Sequence, residues 1–389
     1  MAERVPVIAG IGLSDYPKAP HLDSIGHHVL AAQRALADCG LKKSEIDGFM
    51  CAQGNFAAPD NTGAMAEYLG LNPRFFDGTA VGGSSFELHI QHAAMAIGAG
   101  IATSILIVYG SDLYTQSGNN PGFGNREAGS KVPGAAQFES PWGNTLIGGY
   151  ALAAQRHMYQ YGTTSEQLAA ISVACRKHAQ LNPNAMYRKP LTVQDVVNSR
   201  LIADPLHLFD CCVVSDGGGA VIVTTEERAR DLRQPPVYIL GAAAAHTHWN
   251  VSQMPDYTVS GAARSGEEAF AQAGLKPQDV DTVQLYDSFT ITAMLMLEDL
   301  GFCKKGEGGP FAASGALELG GSLPMNTDGG ALSSCHPGMR GIFLLIEATR
   351  QLRGQAGEAQ VAGAEVALAC GSGGTLSAMG TVILGKERK

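Results

Sequence analysis

The sequence predicts an α/β protein written as two similar halves, each a series of strand–helix–strand units with well-buried strands. Three observations predict it: apolar strands alternate with helices, two blocks recur in the same order, and the strands are near-continuously apolar. Residues 29–51 (VLAAQRALADCGLKKSEIDGFMC) and 262–287 (AARSGEEAFAQAGLKPQDVDTVQLYD) share one layout. Each has a helix with apolar residues at helical spacing, closed by Gly40-Leu41 or Gly274-Leu275. A polar turn, then Ile46-Asp47 or Val280-Asp281, leads into an apolar strand. Ahead of these helices lie the β-rich runs Val5–Gly12 and Val237–Ala243.

The later parts of the halves also correspond. Residues 105–111 (ILIVYGS) resemble 366–372 (VALACGS), and before each a glycine-rich turn feeds a long apolar helix, within 82–100 and 338–354. Ala/Gly-rich units of this kind look alike by chance, but two matching blocks in one order favour duplication. Mostly parallel sheets are expected. The expected division is 1–111 with 201–233 as the N-terminal half, 112–200 as an insertion, and 234–389 as the C-terminal half. The insertion is rich in Gly, Asn and Pro, with helices expected near 147–160 and 165–180, and suits a substrate pocket or a subunit contact. Its 118–134 stretch reads as a flexible loop without a Walker lysine–serine pair.

Composition narrows the function classes. Net charge of -9, with no acidic or basic block, disfavours a nucleic-acid partner. Hydrophobic residues at 45% and charged residues at 16% fit a sizeable core and a subunit interface. The first residues (MAERVPVIAG) lack a signal-peptide layout, no run suits a membrane span, and Glu387-Arg388-Lys389 is not a peroxisomal address. Eight cysteines without disulfide or zinc spacing read as reduced thiols, so a cytoplasmic location is expected.

The blocks carry a series of short motifs. They are Tyr150–Tyr161 (YALAAQRHMYQY), Asn182-Pro183, Ile202–Asp204, Ser215–Val223 (SDGGGAVIV), Tyr286–Phe289 (YDSF), Asn326–Gly330 (NTDGG), His336–Gly338 (HPG) and Cys370–Gly374 (CGSGG). In this order, over essentially the whole chain, they resemble the thiolase superfamily. The nearest branch is that of sterol-carrier-protein thiolases and bacterial lipid-transfer thiolase-like proteins. The resemblance implies a five-layer αβαβα sandwich and a dimer, or dimer of dimers, paired through the sheets of the first half. It also implies an acyl-CoA substrate, coenzyme A being part of the substrate and no cofactor being bound. In thiolases a cysteine at a helix start attacks the thioester, an HP-motif histidine activates it, and a second cysteine moves the α-carbon proton.

One departure governs the chemistry. Where thiolases read Cys-x-Ser-Gly, this chain reads Gly83-Ser84-Ser85-Phe86. Gly83 stands at the nucleophile's position, and a one-residue shift would place Ser84 there; neither is a good nucleophile unaided. Cys39 and Cys51 belong to a helix end and a strand. A glycine does leave an exposed N–H at a helix start, a fair anion contact. His336 matches the HP histidine and is expected to be catalytic with Tyr286 and Cys370. Tyr286 is either a donor or base at a thioester, or a core aromatic. Cys370 is either the proton shuttle or a small packing residue.

Gly83, Ser84, Asp287, Gly371 and His248 are the expected oxyanion and substrate contacts, Asp287 by orienting Tyr286 unless it is a turn or cap residue. His246 and His248 flank Thr247 without an obvious acidic or thiol partner, which favours a pocket role over a metal. His27, His28, His89 and His92 fall in amphipathic helices and are expected to contact neighbouring elements. Gly10-Ile11-Gly12 lacks the rest of a dinucleotide fingerprint.

Some members of this branch are aldolases that cleave a β-hydroxyacyl-CoA into a ketone or aldehyde and a shorter acyl-CoA, as in steroid side-chain degradation. Tyrosines at the positions of Tyr286 and His336 are implicated in those relatives; this chain keeps the first and has histidine at the second. Retro-aldol cleavage needs a base and enolate donors but no covalent intermediate, so a glycine at 83 is compatible with it. The expectation is therefore an acyl-CoA carbon–carbon lyase. The alternatives are a thiolase or acyltransferase, or a non-catalytic subunit binding acyl-CoA or lipid. The resemblance further suggests a small OB-fold and zinc-ribbon partner protein.

Overall fold

The computed structural model describes residues 4–52, 61–117, 134, 136–143 and 145–388. The first half runs β1 (Pro6–Leu13), α1 (Ser24–Cys39), β2 (Gly48–Cys51), α2 (Thr62–Tyr68), β3 (Phe75–Asp77), α3 (Ser85–Gly98) and β4 (Ser104–Ser111). Short helices α4 (Leu113–Ser117) and α5 (Ala136–Glu139) precede two long ones, α6 (Leu146–Tyr161) and α7 (Ser165–Leu181). Then come α8 (Val193–Val197), a ribbon of β5 (Leu201–Ala203) and β6 (Leu206–His207), β7 (Gly217–Thr225) and α9 (Glu226–Ala229). The second half runs β8 (Val237–His246), α10 (Ala262–Ala273), β9 (Thr282–Leu285) and α11 (Thr290–Asp299). It continues with α12 (Gly308–Ala313), α13 (Gly341–Leu352), β10 (Val366–Gly373) and β11 (Ala378–Gly385). Apart from Gly134, the glycine-rich 118–134 loop lies outside the described residues.

Helix boundaries follow local chemistry. Asp23 caps α1 by accepting the Gly26 N–H at 2.7 Å. Gly40 and Gly274 end α1 and α10 in the left-handed region, at φ 82° and 64°, which only glycine enters freely. Both helices of the insertion form where the periodicity places them, each capped by a threonine (Thr145, Thr164).

Nine strands join in the order β3-β2-β4-β7-β1-β8-β11-β10-β9. Strand by strand the halves correspond: β1 with β8, β2 with β9, β4 with β10, and β7 with β11. They meet where β1 and β8 run antiparallel, Val7 opposite Tyr238 and Ile8 opposite Val237. The expectation of mostly parallel pairing needs correction. Among the described strands only β2–β3, β2–β4 and β9–β10 pair in parallel, because β7 and β11 each insert antiparallel between two strands of their half. For β11 the cause is a tight turn after β10, which permits no other direction.

Helices α1 and α10 cover outer faces, whereas α3 and α13 both touch strands of the two halves. The half-sheets therefore face each other across α3 and α13, giving five layers. Strands β4, β7, β10 and β11 are buried almost throughout, as their apolar runs require. Among the described residues, no helix is long and apolar enough to cross a membrane.

Candidate active site

The two central helices begin at one point. The Gly341 N–H, at the start of α13, donates to the Gly83 carbonyl, just before α3, at 3.1 Å. The first amides of a helix have no partner inside it and carry the positive end of its dipole, so a paired start suits developing negative charge.

Tyr286 enters this junction directly after β9. Its N–H donates to the Cys370 carbonyl at 2.9 Å, continuing the β9–β10 pairing by one residue. Asn326, in the NTDGG segment, exchanges two hydrogen bonds with Leu285 at 2.8 Å each and holds the strand end. The ring then lies where a side chain at position 83 would begin. A Cβ on Gly83 would sit 2.5 Å from the Tyr286 hydroxyl oxygen and closer still to two ring carbons. The missing cysteine and the tyrosine are therefore one feature: the phenol fills the room a thiol would need.

Across from it stands His336. The Tyr286 hydroxyl lies 3.0 Å from His336 Nε2, with the rings edge-on at 89°. Burial pushes the phenol well above its ordinary range, and burial plus the Arg340 charge push the imidazole down to about 3. Both groups are thus neutral near pH 7, and with the imidazole proton on Nδ1 the phenol O–H donates to Nε2.

The HPG turn is clamped on several sides. His336 N–H donates to Ser215 Oγ at 2.9 Å. The Tyr109 hydroxyl donates to the Pro337 carbonyl at 2.5 Å and accepts from Met339 N–H at 3.1 Å. Arg340, fully buried, donates to the Cys335 carbonyl at 2.7 Å and to both oxygens of Asp328 at 2.6 and 2.7 Å. Two nearby carboxylates keep that guanidinium protonated despite burial.

Of the expected site residues, Tyr286, His336 and Gly83 converge. Asp287 does not orient Tyr286. Its carboxylate accepts the Ala331 and Leu332 amides at 2.7 and 3.1 Å and lies 3.7 Å from Arg340 Nε, so it holds the turn ahead of His336. The Cys370 thiol does not join the pair either. Side chains alternate along a strand, and the faces of Gly371 and Gly373 look toward α3, so Cys370 points the other way. There it meets Thr381, whose hydroxyl donates to Sγ at 3.5 Å; burial pushes the thiol up to about 12.

Ser84 contributes its backbone position, since its hydroxyl donates to the Ala378 carbonyl at 2.7 Å. Gly371 has no room for a side chain: a Cβ there would collide with the Glu87 carboxylate. His248 is tied at both ring nitrogens, to Thr247 Oγ1 at 2.8 Å and to the Thr375 carbonyl at 2.9 Å, and supports the turn after β10. His246 is exposed at the end of β8, near the Trp249 ring. Among the described residues no group of three or more His, Cys, Asp or Glu is arranged to hold a metal ion.

Sequence reading missed two residues that hold the site's HPG turn, Arg340 and Tyr109. Arg340 alone carried a signal, a cation four residues past the HP histidine and next to an expected helix start.

Comparison with known proteins decides the family. Residues 243–386 match the thiolase C-terminal domain-like family. A steroid side-chain-cleaving aldolase of Thermomonospora curvata is 37% identical over 362 residues, covering 89% of this chain and 90% of that protein. The chain belongs to the thiolase superfamily. Within that superfamily it is also 38% identical to a 17-hydroxy-3-oxo-4-pregnene-20-carboxyl-CoA lyase of Mycobacterium tuberculosis, over 89% of this chain and 91% of the lyase. Among solved structures, the Ltp2-ChsH2(DUF35) aldolase superposes with a TM-score of 0.87 at 34% identity, covering 100% of this chain and 99% of that one. As a thiolase-superfamily chain it keeps the HP histidine and replaces the thiol with a phenol.

Proposed function

We propose that this chain is an acyl-CoA carbon–carbon lyase of the retro-aldol type. The observation that carries the proposal is the exclusion at position 83, where the Tyr286 ring leaves no volume for an attacking side chain. The named activities of the similar aldolase and lyase support it.

In the proposed step, the Tyr286 oxygen takes the proton of the substrate β-hydroxyl while its own passes to His336 Nε2. The β-carbon's O–H pair becomes the new C=O bond, and the Cα–Cβ bond breaks. Its electrons pass to Cα and the thioester oxygen as an enolate, held by the amides at the paired helix starts. A strongly depressed imidazole is a weak base at rest, and the adjacent enolate charge favours its protonated form. The proton then returns through Tyr286 to Cα, which gives the ketone or aldehyde, the shorter acyl-CoA and unchanged enzyme.

Beside the Tyr286–Phe289 turn lies a cavity of about 300 Å³ lined by Ile147, Phe209, Cys212, Val213, Phe289 and Leu332 among others. Its mainly apolar wall suits a bulky acyl group, in keeping with the steroid substrates in the relatives' names. The edge strand β3 carries Phe76, 65% exposed, and supports a homodimer built by joining two such edges. Similarity to the Ltp2-ChsH2(DUF35) complex supports a DUF35-type partner subunit. All eight cysteines are free thiols, which supports a reducing compartment such as the cytoplasm.

The test supplies either a β-hydroxyacyl-CoA alone or a β-ketoacyl-CoA with free coenzyme A, to the chain by itself and with a DUF35-type partner. Carbonyl release from the first mixture is expected. Turnover of the second mixture alone would make the chain a thiolase, and inactivity on both would make it a binding subunit.

A further inference from the structure

One turn into α3, beneath Gly83, lies a carboxyl group that the proposed step leaves unused. Glu87 is 1% exposed, and among the described residues neither carboxyl oxygen has a hydrogen-bond partner on another residue; only its own amide pulls the carboxyl down, against the larger effect of burial. Buried polar groups almost always have partners, so an orphaned carboxyl needs a reason. The space it fills is made by glycines from three elements. A Cβ on Gly341 would lie 2.5 Å from Oε2, one on Gly371 would collide with it, and one on Gly380 would lie 2.6 Å from the Glu87 Cβ. The carboxyl is thereby lodged where the start of α3, the start of α13 and strand β10 meet, directly behind the amides assigned to the enolate.

Among the described residues no charge partner compensates it. Titratable groups on the surrounding elements are Cys370 on β10, Tyr109 on β4, and Tyr238 and His246 on β8. His336 and Arg340 precede α13, which itself carries Glu347 and Arg350, and His89 and His92 share α3. None of them shifts Glu87; burial raises its carboxyl to about 8. His89 is itself held neutral by burial, at about 4, and the Cys370 thiol stays protonated.

We propose that Glu87 is a positioning residue that serves this site only as an uncharged acid, filling the three-glycine junction without opposing the negative charge formed above it. Ionised, the carboxylate would cancel much of the positive end of α3 and repel the enolate through poorly screening protein. The inference rests on the lyase reading, and it predicts that ionisation of Glu87 switches turnover off.

The experiment compares wild type with Glu87→Gln across pH 6–10, following lyase turnover, thermal stability and the infrared band of the protonated carboxyl. In wild type, turnover should fall at least about tenfold as pH passes about 8, with the band vanishing over the same range. The variant should lack the band, keep turnover within about tenfold at pH 7 and lose the alkaline fall. Stability adds a readout that needs no substrate. A carboxyl raised from 4.5 to about 8 binds more protons folded than unfolded, so wild type should lose stability as pH climbs between those values, and the variant should lose less. Should Gln unfold the chain, Glu87→Met offers similar length without titration. An identical alkaline fall in the variant, or no titrating band in wild type, overturns the proposal. If only the lyase reading fails, neither protein turns over the substrate while the band still titrates.

Discussion

The Tyr286 ring occupies the place that a Cβ on Gly83 would need, so the phenol and a nucleophile at position 83 exclude each other. The Gly83→Cys substitution should therefore not create a thiolase. It should destabilise the fold by about 1–3 kcal/mol through overpacking, as measured by denaturant unfolding. Pairing it with Tyr286→Ala should recover most of that loss. Full stability of the single variant would show that the junction has slack.

Removing only the phenol oxygen isolates its chemistry. Tyr286→Phe keeps the ring and leaves His336 Nε2 without its 3.0 Å partner. Turnover should drop by roughly 10²–10⁴. Stability should change by only about 1 kcal/mol, the usual scale of one buried hydrogen bond. Steady-state rates beside unfolding curves check both numbers.

His336 should remain neutral from pH 5 to 8. Its folded value of about 3 lies below the ordinary 6.5, so between those values the unfolded chain binds more protons. Stability from this group is complete above pH 6.5 and is lost as pH falls toward 3. Nitrogen-15 NMR of the imidazole should show no protonation at pH 5.5, and titration near 6.5 would contradict the buried geometry.

Arg340 holds the turn that presents His336. Arg340→Met leaves Asp328 and Asp287 buried without their cation and should cost about 3–5 kcal/mol in unfolding free energy. A loss below about 1 kcal/mol, the size of a surface pair, would mean that the turn is held otherwise.

Much of this was legible in the amino-acid order. The Gly-Leu helix stops, the two insertion helices and the HP and YDSF motifs all fall where they were expected, because each depends on a local pattern. The strand directions were not, since an apolar run reads the same either way and β7 returns from far along the chain. Sequence alone leaves Asp287 open between orienting Tyr286 and holding a turn, because its partners, Ala331 and Leu332, lie more than forty residues away. Cys370 was placed at the site by motif alone, whereas the pleat decides its direction. Glu87 looks in sequence like an ordinary acid in a helix's first turn. Only the three distant glycines around it reveal the cage.

Cleavage without an enzyme-bound acyl group is the central claim, and intact-mass spectrometry of the chain quenched during turnover of a β-hydroxyacyl-CoA tests it most directly. The expected spectrum shows unmodified protein while the carbonyl product and shorter acyl-CoA accumulate. A chain heavier by the acyl group, with the adduct on any cysteine or serine, would contradict it.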